Sequence, residues 1–267
     1  MASSRSAPQA AFVLHQWDWS ETSLILDLFT REQGRVAAVA KGAKRPYSQL
    51  RPVLMPFQRL LVLTTRPKAD EHADILLLRS AEYAGAGAAL PPARLFPGFY
   101  LNELLMKLLA RGDPHPALFD AYADALQALA DAPDEAPLRA FELLLLRETG
   151  VLPELSRTTT TQEAVQPARH YRLSGDSGLV AAPDEASSLP GSLCLALQAA
   201  LDADDRPALR RACQGGLPAL RAQLRALLHY HLGAPPLRTR QLMLDVRRLL
   251  DPSQLPPRRL PPDPGPP

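Results

Sequence analysis

The stretch Thr22–Arg45, TSLILDLFTREQGRVAAVAKGAKR, decides the fold of this 267-residue chain. Residues 22–30 are rich in β-branched and large apolar side chains, and a second apolar run begins at Gly34. The turn between the two runs is polar and ends in a glycine, which is typical of a β-hairpin. We therefore predict two paired strands in this stretch.

The second strand of the hairpin carries a line of positive charge. Side chains alternate between the two faces of a strand, so Arg35 and Lys41 point the same way, about 20 Å apart at roughly 3.3 Å per residue. Lys44 and Arg45 extend the line into the next loop. The line is suited to a long anion. The alternative interpretation is a solvated strand face whose charges prevent edge pairing.

Strand patterns fill the whole N-terminal part of the chain. Turn-rich connections separate them, and no helical period interrupts them. Such a pattern is typical of a small antiparallel barrel of the OB type, whose exposed face and loops often bind single-stranded nucleic acid. The five predicted strands span residues 10–15, 22–30, 34–41, 54–66 and 73–84.

The pattern changes after residue 84, where apolar residues recur at helical spacing. The chain is therefore predicted to be an α+β protein, with an N-terminal five-stranded OB-type β-barrel followed by a mainly α-helical domain with a small β-containing excursion. Proline dominates the end of the chain, which favours disorder there. The predicted parts are the OB-fold DNA-binding domain 1–84, the first part of a helical bundle 85–153, a small module with a possible β-hairpin 154–192, the second part of the bundle 193–252, and a disordered tail 253–267.

Charge is distributed unevenly, although the formal net charge is only +2. Residues 1–85 hold 11 Lys and Arg against 8 Asp and Glu, and residues 205–260 hold 11 against 3. The middle, residues 86–204, holds 8 against 16. An acidic middle between two basic ends predicts a bipartite contact with a polyanion, or basic surfaces that balance the acidic segment.

The C-terminal cations are nearly all arginines, which bind phosphate through a bidentate fork and stack on bases. Arg221 and Arg225 lie one turn apart and share a helix face. Arg238 and Arg240 follow in the next predicted helix. These four side chains are predicted to bind DNA, and the alternative is that they balance the acidic middle.

Patterns that would indicate catalysis or a cofactor are missing from the sequence. It shows no nucleophile with a base, no paired carboxylates and no phosphate-binding glycine loop. Cys194 and Cys213 have no C-x-x-C partner, so zinc and a disulfide framework are both disfavoured. No apolar run reaches the roughly 20 residues that span a bilayer. We predict a cytoplasmic protein that is not an enzyme and has no metal, cofactor or membrane contact.

Three motifs are specific enough to suggest a family: WSETS at residues 19–23, VAKGA at residues 39–43 and YLNELL at residues 100–105. With Phe12-Val13-Leu14-His15 before them and Pro236-Leu237-Arg238-Thr239-Arg240 near the end, they make residues 10–250 resemble the RecO family of bacterial recombination mediators.

The resemblance implies a function in recombinational DNA repair at the nucleoid. It implies binding of single-stranded and double-stranded DNA, annealing of complementary strands, and help in loading the RecA recombinase. Two protein partners are also implied, namely RecR and the acidic C-terminal tail of single-strand binding protein. In the barrel, the residues expected to bind DNA are Arg35, Lys41, Lys44 and Arg45.

The resemblance also implies that the tail of single-strand binding protein docks on the helical domain. We expect it near residues 138–145, with Arg139 for its carboxylates and Phe141 for its apolar end. A competing hypothesis is a protein-interaction adaptor that binds acidic tails through its basic surfaces and does not bind DNA.

One region departs from the family pattern. Many members carry two C-x-x-C pairs for zinc just after the third helix, whereas residues 154–171 contain no cysteine. We therefore expect packing and hydrogen bonds, without metal, to hold this module.

Overall fold

The computed structural model describes residues 7–67, 73–85, 90–131, 134–233 and 237–249. The predicted disordered tail, residues 253–267, lies outside the described residues.

The N-terminal strands form a closed five-stranded barrel in the order β1-β2-β3-β5-β4, as predicted. All neighbouring strands are antiparallel except β3 and β5, which are parallel. The strands are β1 (Gln9–Asp18), β2 (Leu24–Thr30), β3 (Gly34–Ala40), β4 (Leu60–Thr65) and β5 (Ile75–Tyr83).

Two predicted strand boundaries were wrong by three or more residues, and the others differ by at most two. β1 continues to Asp18 because Gln16 and Trp17 still pair with β2. The predicted fourth strand began at residue 54, but a helical turn, α1 (Leu50–Val53), precedes that position and Phe57 has a φ of 66°. A non-glycine residue with positive φ ends regular strand geometry, so β4 begins only at Leu60.

The barrel interior is filled by alternate residues of each strand, as the period of two requires. Leu26 and Leu28 of β2 face Ala38 and Ala40 of β3 in this core. The intervening residues of both strands, Ile25, Asp27, Phe29, Arg35, Ala37 and Val39, therefore lie on the outer face of the barrel.

Seven helices follow the barrel within the described residues, and α4 lies at the centre of them. It packs against α2, α3, α6 and α7, and every residue from 136 to 146 is buried. The helices are α2 (Leu95–Leu108), α3 (Pro116–Asp131), α4 (Ala136–Glu148), α5 (Gly191–Asp202), α6 (Arg206–Gln214), α7 (Leu217–Leu232) and α8 (Arg238–Leu249).

A small sheet interrupts the helices between α4 and α5. The predicted hairpin is confirmed as β6 (His170–Ser174) and β7 (Gly178–Ala182), and a short third strand, β8 (Leu189–Pro190), pairs with β6. The side chain of Gln223 on α7 accepts a hydrogen bond from the Leu173 amide at 2.8 Å and donates one to the Ser187 carbonyl at 2.6 Å. Hydrogen bonds thus tie the module to α7.

Both cysteines lie in the helical core. Cys194 on α5 and Cys213 on α6 are free thiols with no exposed surface. Burial raises the pKa of each thiol to about 12, since a thiolate is poorly solvated there. Their environment makes them small apolar core residues, with no features of reactive thiols.

An ion pair joins the barrel to the end of α2. Asp27 is fully buried on the outer face of β2 and accepts two hydrogen bonds from Arg35, at 2.8 and 2.9 Å. The same guanidinium donates to the carbonyls of Met106 and Leu109. Those carbonyls belong to the last turn of α2, where helix geometry leaves acceptors unpaired. Arg35 therefore donates hydrogen bonds both to a buried carboxylate and to the free carbonyls at the end of a helix.

Aromatic side chains also pack between the barrel and the helical domain. Phe12 and Phe29 of the barrel lie with their ring centroids 5.2 and 5.4 Å from that of Phe119 on α3. Gly34, with a φ of 66°, approaches the carbonyl of Asp113 so closely that an added Cβ would lie 1.9 Å from the oxygen. Glycine is required at this position for both reasons.

We predict that Arg35→Ala destabilises the protein by about 3 kcal/mol, because it leaves the buried Asp27 carboxylate without its main partner. Urea unfolding followed by circular dichroism measures the change. The double variant Asp27→Ala, Arg35→Ala should cost less than the sum of the two single variants, since neither charge is then left alone.

The matched control is Arg45→Ala, which removes from the loop after β3 an exposed arginine that has no ion-pair partner among the described residues. Its free energy of unfolding should stay within about 0.5 kcal/mol of the original protein. Equal stabilities of the Arg35→Ala and Arg45→Ala variants would contradict the proposed contribution of the Asp27–Arg35 ion pair to stability.

Candidate nucleic-acid interface

The line of cations predicted along β3 is interrupted by the helical domain. Arg35 lies on the predicted outer face, but its side chain is only 15% exposed and is bound to Asp27 and the end of α2. The strand period correctly gave the face. The period could not show that helices cover the end of this face at which Arg35 lies. The expected contact of Arg35 with DNA therefore needs correction.

The other barrel cations of the prediction lie at the uncovered end of β3. Lys41 and Arg45 are exposed in the loop that follows the strand, and Arg51 is exposed on α1. Within the part of the chain that the structure describes, none of these three side chains has a hydrogen-bond or ion-pair partner. Three unpartnered cations in eleven consecutive residues form a surface that attracts an anion.

Lys44 anchors this loop to the turn between β1 and β2. Its amino group lies 3.1 Å from the Asp18 carboxylate and donates to the Ser20 carbonyl at 3.2 Å. Its backbone amide donates to the Thr22 carbonyl at 3.0 Å. Lys44 therefore links two loops. This link places Lys41 and Arg45 beside the β1–β2 turn.

Two exposed tryptophans occupy that turn, and sequence reasoning missed them as functional residues. Trp17 is 42% exposed at the end of β1, and Trp19 is 62% exposed just beyond it. A signal was present in the sequence, because these are the only two tryptophans of the chain and both stand among polar residues. The surface formed by Trp17, Trp19, Lys41, Lys44 and Arg45 is called the turn surface below.

A second group of predicted cations lies on α7 and α8. Arg221 and Arg225 are exposed on one face of α7, as the spacing predicted, and Arg221 is 3.9 Å from Glu135. Arg240 of α8 lies near Arg225, and partial burial together with this like charge lowers the pKa of Arg240. Like charges kept close together are stabilised by an anion, so this group is a second candidate surface.

The first turn of α8 is fixed by a carboxylate from α2. Buried Glu103 accepts hydrogen bonds from the backbone amides of Arg238 and Thr239, at 2.8 and 2.9 Å. A carboxylate at a helix N-terminus satisfies free amides and interacts favourably with the helix dipole. Arg238 itself stays exposed, next to Arg240.

The residues expected to bind a partner's tail are buried inside the bundle, which corrects that prediction. Arg139 is 6% exposed and forms an ion pair with Glu142 at 3.0 Å, while Phe141 is 1% exposed and packs against Tyr122. Glu142 also accepts a hydrogen bond from Tyr100 at 2.5 Å. Burial raises the pKa of both Glu142 and Tyr100.

A small surface depression, called the groove below, lies between α3, α4 and α6. Phe141 contributes to its apolar floor together with Ala140 and Leu144. The cations at its rim come from α6, because Arg206 and Arg210 lie there and Arg139 does not. Arg206 is already paired with Asp124, whereas Arg210 has no ion-pair partner among the described residues.

Candidate metal-ligand groups and membrane-spanning helices are both absent from the described ranges. No group of three or more His, Cys, Asp and Glu side chains there could hold a metal ion. Of the helices in those ranges, none is both long and apolar enough to cross a membrane.

Two family models match the chain over most of its length. The N-terminal part of recombination protein O matches residues 5–77, and its C-terminal part matches residues 92–241. These matches cover the barrel up to the start of β5, and the helices from α2 to the start of α8.

Individual proteins are similar over nearly the whole chain. The DNA repair protein RecO of Verminephrobacter eiseniae is 50% identical over 253 residues, which cover 93% of this chain and 99% of that protein. The protein of the same name from Polaromonas sp. strain JS666 is 48% identical, covering 93% of this chain and 100% of its own length. This chain therefore belongs to the RecO family, whose function lies in DNA repair and recombination.

Proposed function

We propose that this protein is a recombination mediator that binds single-stranded and double-stranded DNA and anneals complementary strands. The observation that carries the proposal is the cluster of unpartnered cations on the turn surface of a DNA repair protein. Unlike Lys44, which pairs with Asp18, the side chains of Lys41 and Arg45 have no carboxylate partner within the described residues. Phosphates would release counterions on binding them, which favours association at low salt.

Annealing requires more than one contact with DNA, because the two strands repel each other. We propose that the turn surface binds one strand and that the arginines of α7 and α8 bind the second. Both groups are largely exposed, so their contacts with phosphate are weak and salt-sensitive. Weak contacts allow the duplex product to leave after pairing.

We further propose that the protein helps to load RecA recombinase onto strands coated by single-strand binding protein, with RecR as a second partner. This activity places it in the cytoplasm at the nucleoid. The groove between α3, α4 and α6 suits the acidic tail of single-strand binding protein, since an apolar floor lies next to Arg210. Such a tail offers carboxylates and an apolar end to these two features.

The alternative function is an adaptor that binds acidic protein tails and makes no contact with DNA. Both functions use exposed arginines and lysines, so charge alone does not separate them. A DNA binder releases counterions in proportion to the phosphates that it contacts, whereas a protein tail offers few charges. The salt dependence of DNA binding therefore distinguishes the two.

We predict that Lys41→Ala with Arg45→Ala weakens binding to a labelled single-stranded oligonucleotide and flattens its salt dependence. The slope of log affinity against log salt should fall by about 1.4, because each lost phosphate contact removes about 0.7. Fluorescence anisotropy between about 50 and 200 mM salt covers the range in which the effect is large.

The matched control for this measurement is Arg31→Ala, since Arg31 is a barrel arginine already bound to Asp120 at 3.0 Å. It should leave the slope unchanged. If the original protein fails to bind DNA even at the lowest salt while still binding the tail peptide, the adaptor function is correct.

The helical surface is tested by Arg221→Ala with Arg225→Ala. We expect the rate of annealing of two complementary labelled strands to fall at least about tenfold, as loss of two phosphate contacts implies at moderate salt. Binding of one strand at the turn surface should fall less than the annealing rate. Replacement of the exposed neutral residues Ala222 and Ala226 by Ser on the same helix should have no such effect.

The groove is tested with a peptide of the C-terminal tail of single-strand binding protein. Arg210→Ala should weaken peptide binding about tenfold, because hydrogen bonds to a charged group contribute about 1.5–3 kcal/mol. Arg211→Ala is the control, since Arg211 is the next residue of α6 and does not line the groove. Equal losses for the two variants, measured by calorimetry, would exclude the groove.

A further inference from the structure

The outer face of the barrel carries an apolar patch that shares Trp17 with the turn surface. The pairing register aligns Trp17 of β1 with Ile25 of β2, and Ile25 with Val39 of β3. Directly paired residues project to the same side of a sheet, so the three side chains form one row across three strands. The parallel strand β5 adds Ile75 beside Ala37 on this face.

The helical domain covers only one end of the face. Phe29 and Arg35, at the covered end, contact α3 and the end of α2. The uncovered end keeps Trp17 at 42% exposure and Ile75 at 37%. An apolar patch that a folded protein leaves exposed, and that polar residues surround, typically marks a binding surface.

Trp17 packs against the ring of its neighbour His15 on the same face of β1. The ring of His15 lies at an angle of 74° to the Trp17 ring, with the centroids 4.5 Å apart. An edge-on contact of this kind restricts the indole while leaving its other side accessible. A preoriented aromatic side chain loses little conformational entropy when a flat ligand stacks on it.

Cations border the patch on the side of the β1–β2 turn. Lys44 bonds to Asp18 and Ser20, the residues on either side of Trp19. The same loop carries Lys41 and Arg45, which have no partner of their own among the described residues. An apolar aromatic patch with positive charge at its edge matches a ligand that has flat rings and a negatively charged backbone.

We propose that Trp17, with Ile25 and Val39, forms a stacking platform for the unpaired bases of a single strand. The inference rests on the proposed DNA binding and adds a physical basis for strand preference. The cations attract the phosphates of either form of DNA. Only a single strand can place its bases on the platform, since a duplex keeps them stacked inside. The platform therefore adds affinity for single strands alone.

Intrinsic fluorescence tests the platform directly, because the chain contains only the tryptophans Trp17 and Trp19. In the Trp19→Phe variant, Trp17 is the sole tryptophan. A single-stranded oligothymidine should quench its emission, whereas an oligonucleotide of equal length made of abasic sites should bind through its phosphates without quenching. Quenching by neither, or by both alike, would overturn the platform.

Affinity gives the second readout. Trp17→Ala should weaken binding to oligothymidine about tenfold, as expected from about 1–3 kcal/mol per stacked base. Binding to duplex DNA, and the salt slope for both forms, should stay unchanged because no phosphate contact is lost. Trp17→Phe should restore most of the lost affinity.

The control variant is Leu61→Ala, which removes a side chain of similar exposure, 40%, from β4. β4 neighbours β1 and β5 and does not touch β2 or β3 in the barrel order. Equal weakening by Trp17→Ala and Leu61→Ala would overturn the platform, as would unchanged binding of Trp17→Ala. If the original protein binds no DNA at all, the proposed function fails as well, and a protein occupant of this face becomes the remaining interpretation.

Discussion

The ion pair between Asp27 and Arg35 is the constraint on which the rest of the structure depends. A fully buried carboxylate on the outside of a barrel strand needs a permanent partner, because an uncompensated charge is costly away from water. Arg35 supplies it and also binds the carbonyls at the end of α2. The helical domain therefore lies over this end of the barrel and leaves the other end of the outer face uncovered.

Arginine has two distinct roles in this protein, and composition does not separate them. Arg35, Arg139 and Arg206 have carboxylate partners inside the fold or at its surface. Arg45 and Arg225 are exposed in the described part of the chain and have no such partner. The basic totals of the two ends of the chain overstate the charge available to DNA, since several cations hold structure together. A polyanion is attracted by the cations that have no carboxylate partner.

Among the described residues, the unpaired cations and Trp19 lie in loops, in turns and on outer helix faces, and Trp17 lies at the end of β1. The barrel core and α4 keep their side chains in packing and ion pairs, so they act as the rigid support for these groups. Loops at the open end of a barrel can change their side chains without disturbing the core. This division explains how one scaffold presents a charged turn, an apolar patch and a separate groove.

The sequence by itself determined the elements. Apolar residues recur every second residue in the strands and about every three and a half residues in the helices, with glycine and proline at the breaks. These patterns were sufficient to predict the five-stranded barrel, the helices and the small hairpin, because they reflect local geometry. Local motifs also identified the family, and charge and spacing selected Lys41, Arg45, Arg221 and Arg225, which are exposed in the structure.

Only the tertiary structure decided which side of each element is covered. The strand period predicts that Arg35 and Lys41 share a face, yet Arg35 is bound to Asp27 and Lys41 is exposed in the loop after β3. Arg139 looked accessible on a helix that proved to be surrounded by four others. Coverage depends on contacts between residues far apart in the chain, such as Arg35 with Leu109, and no local period encodes them.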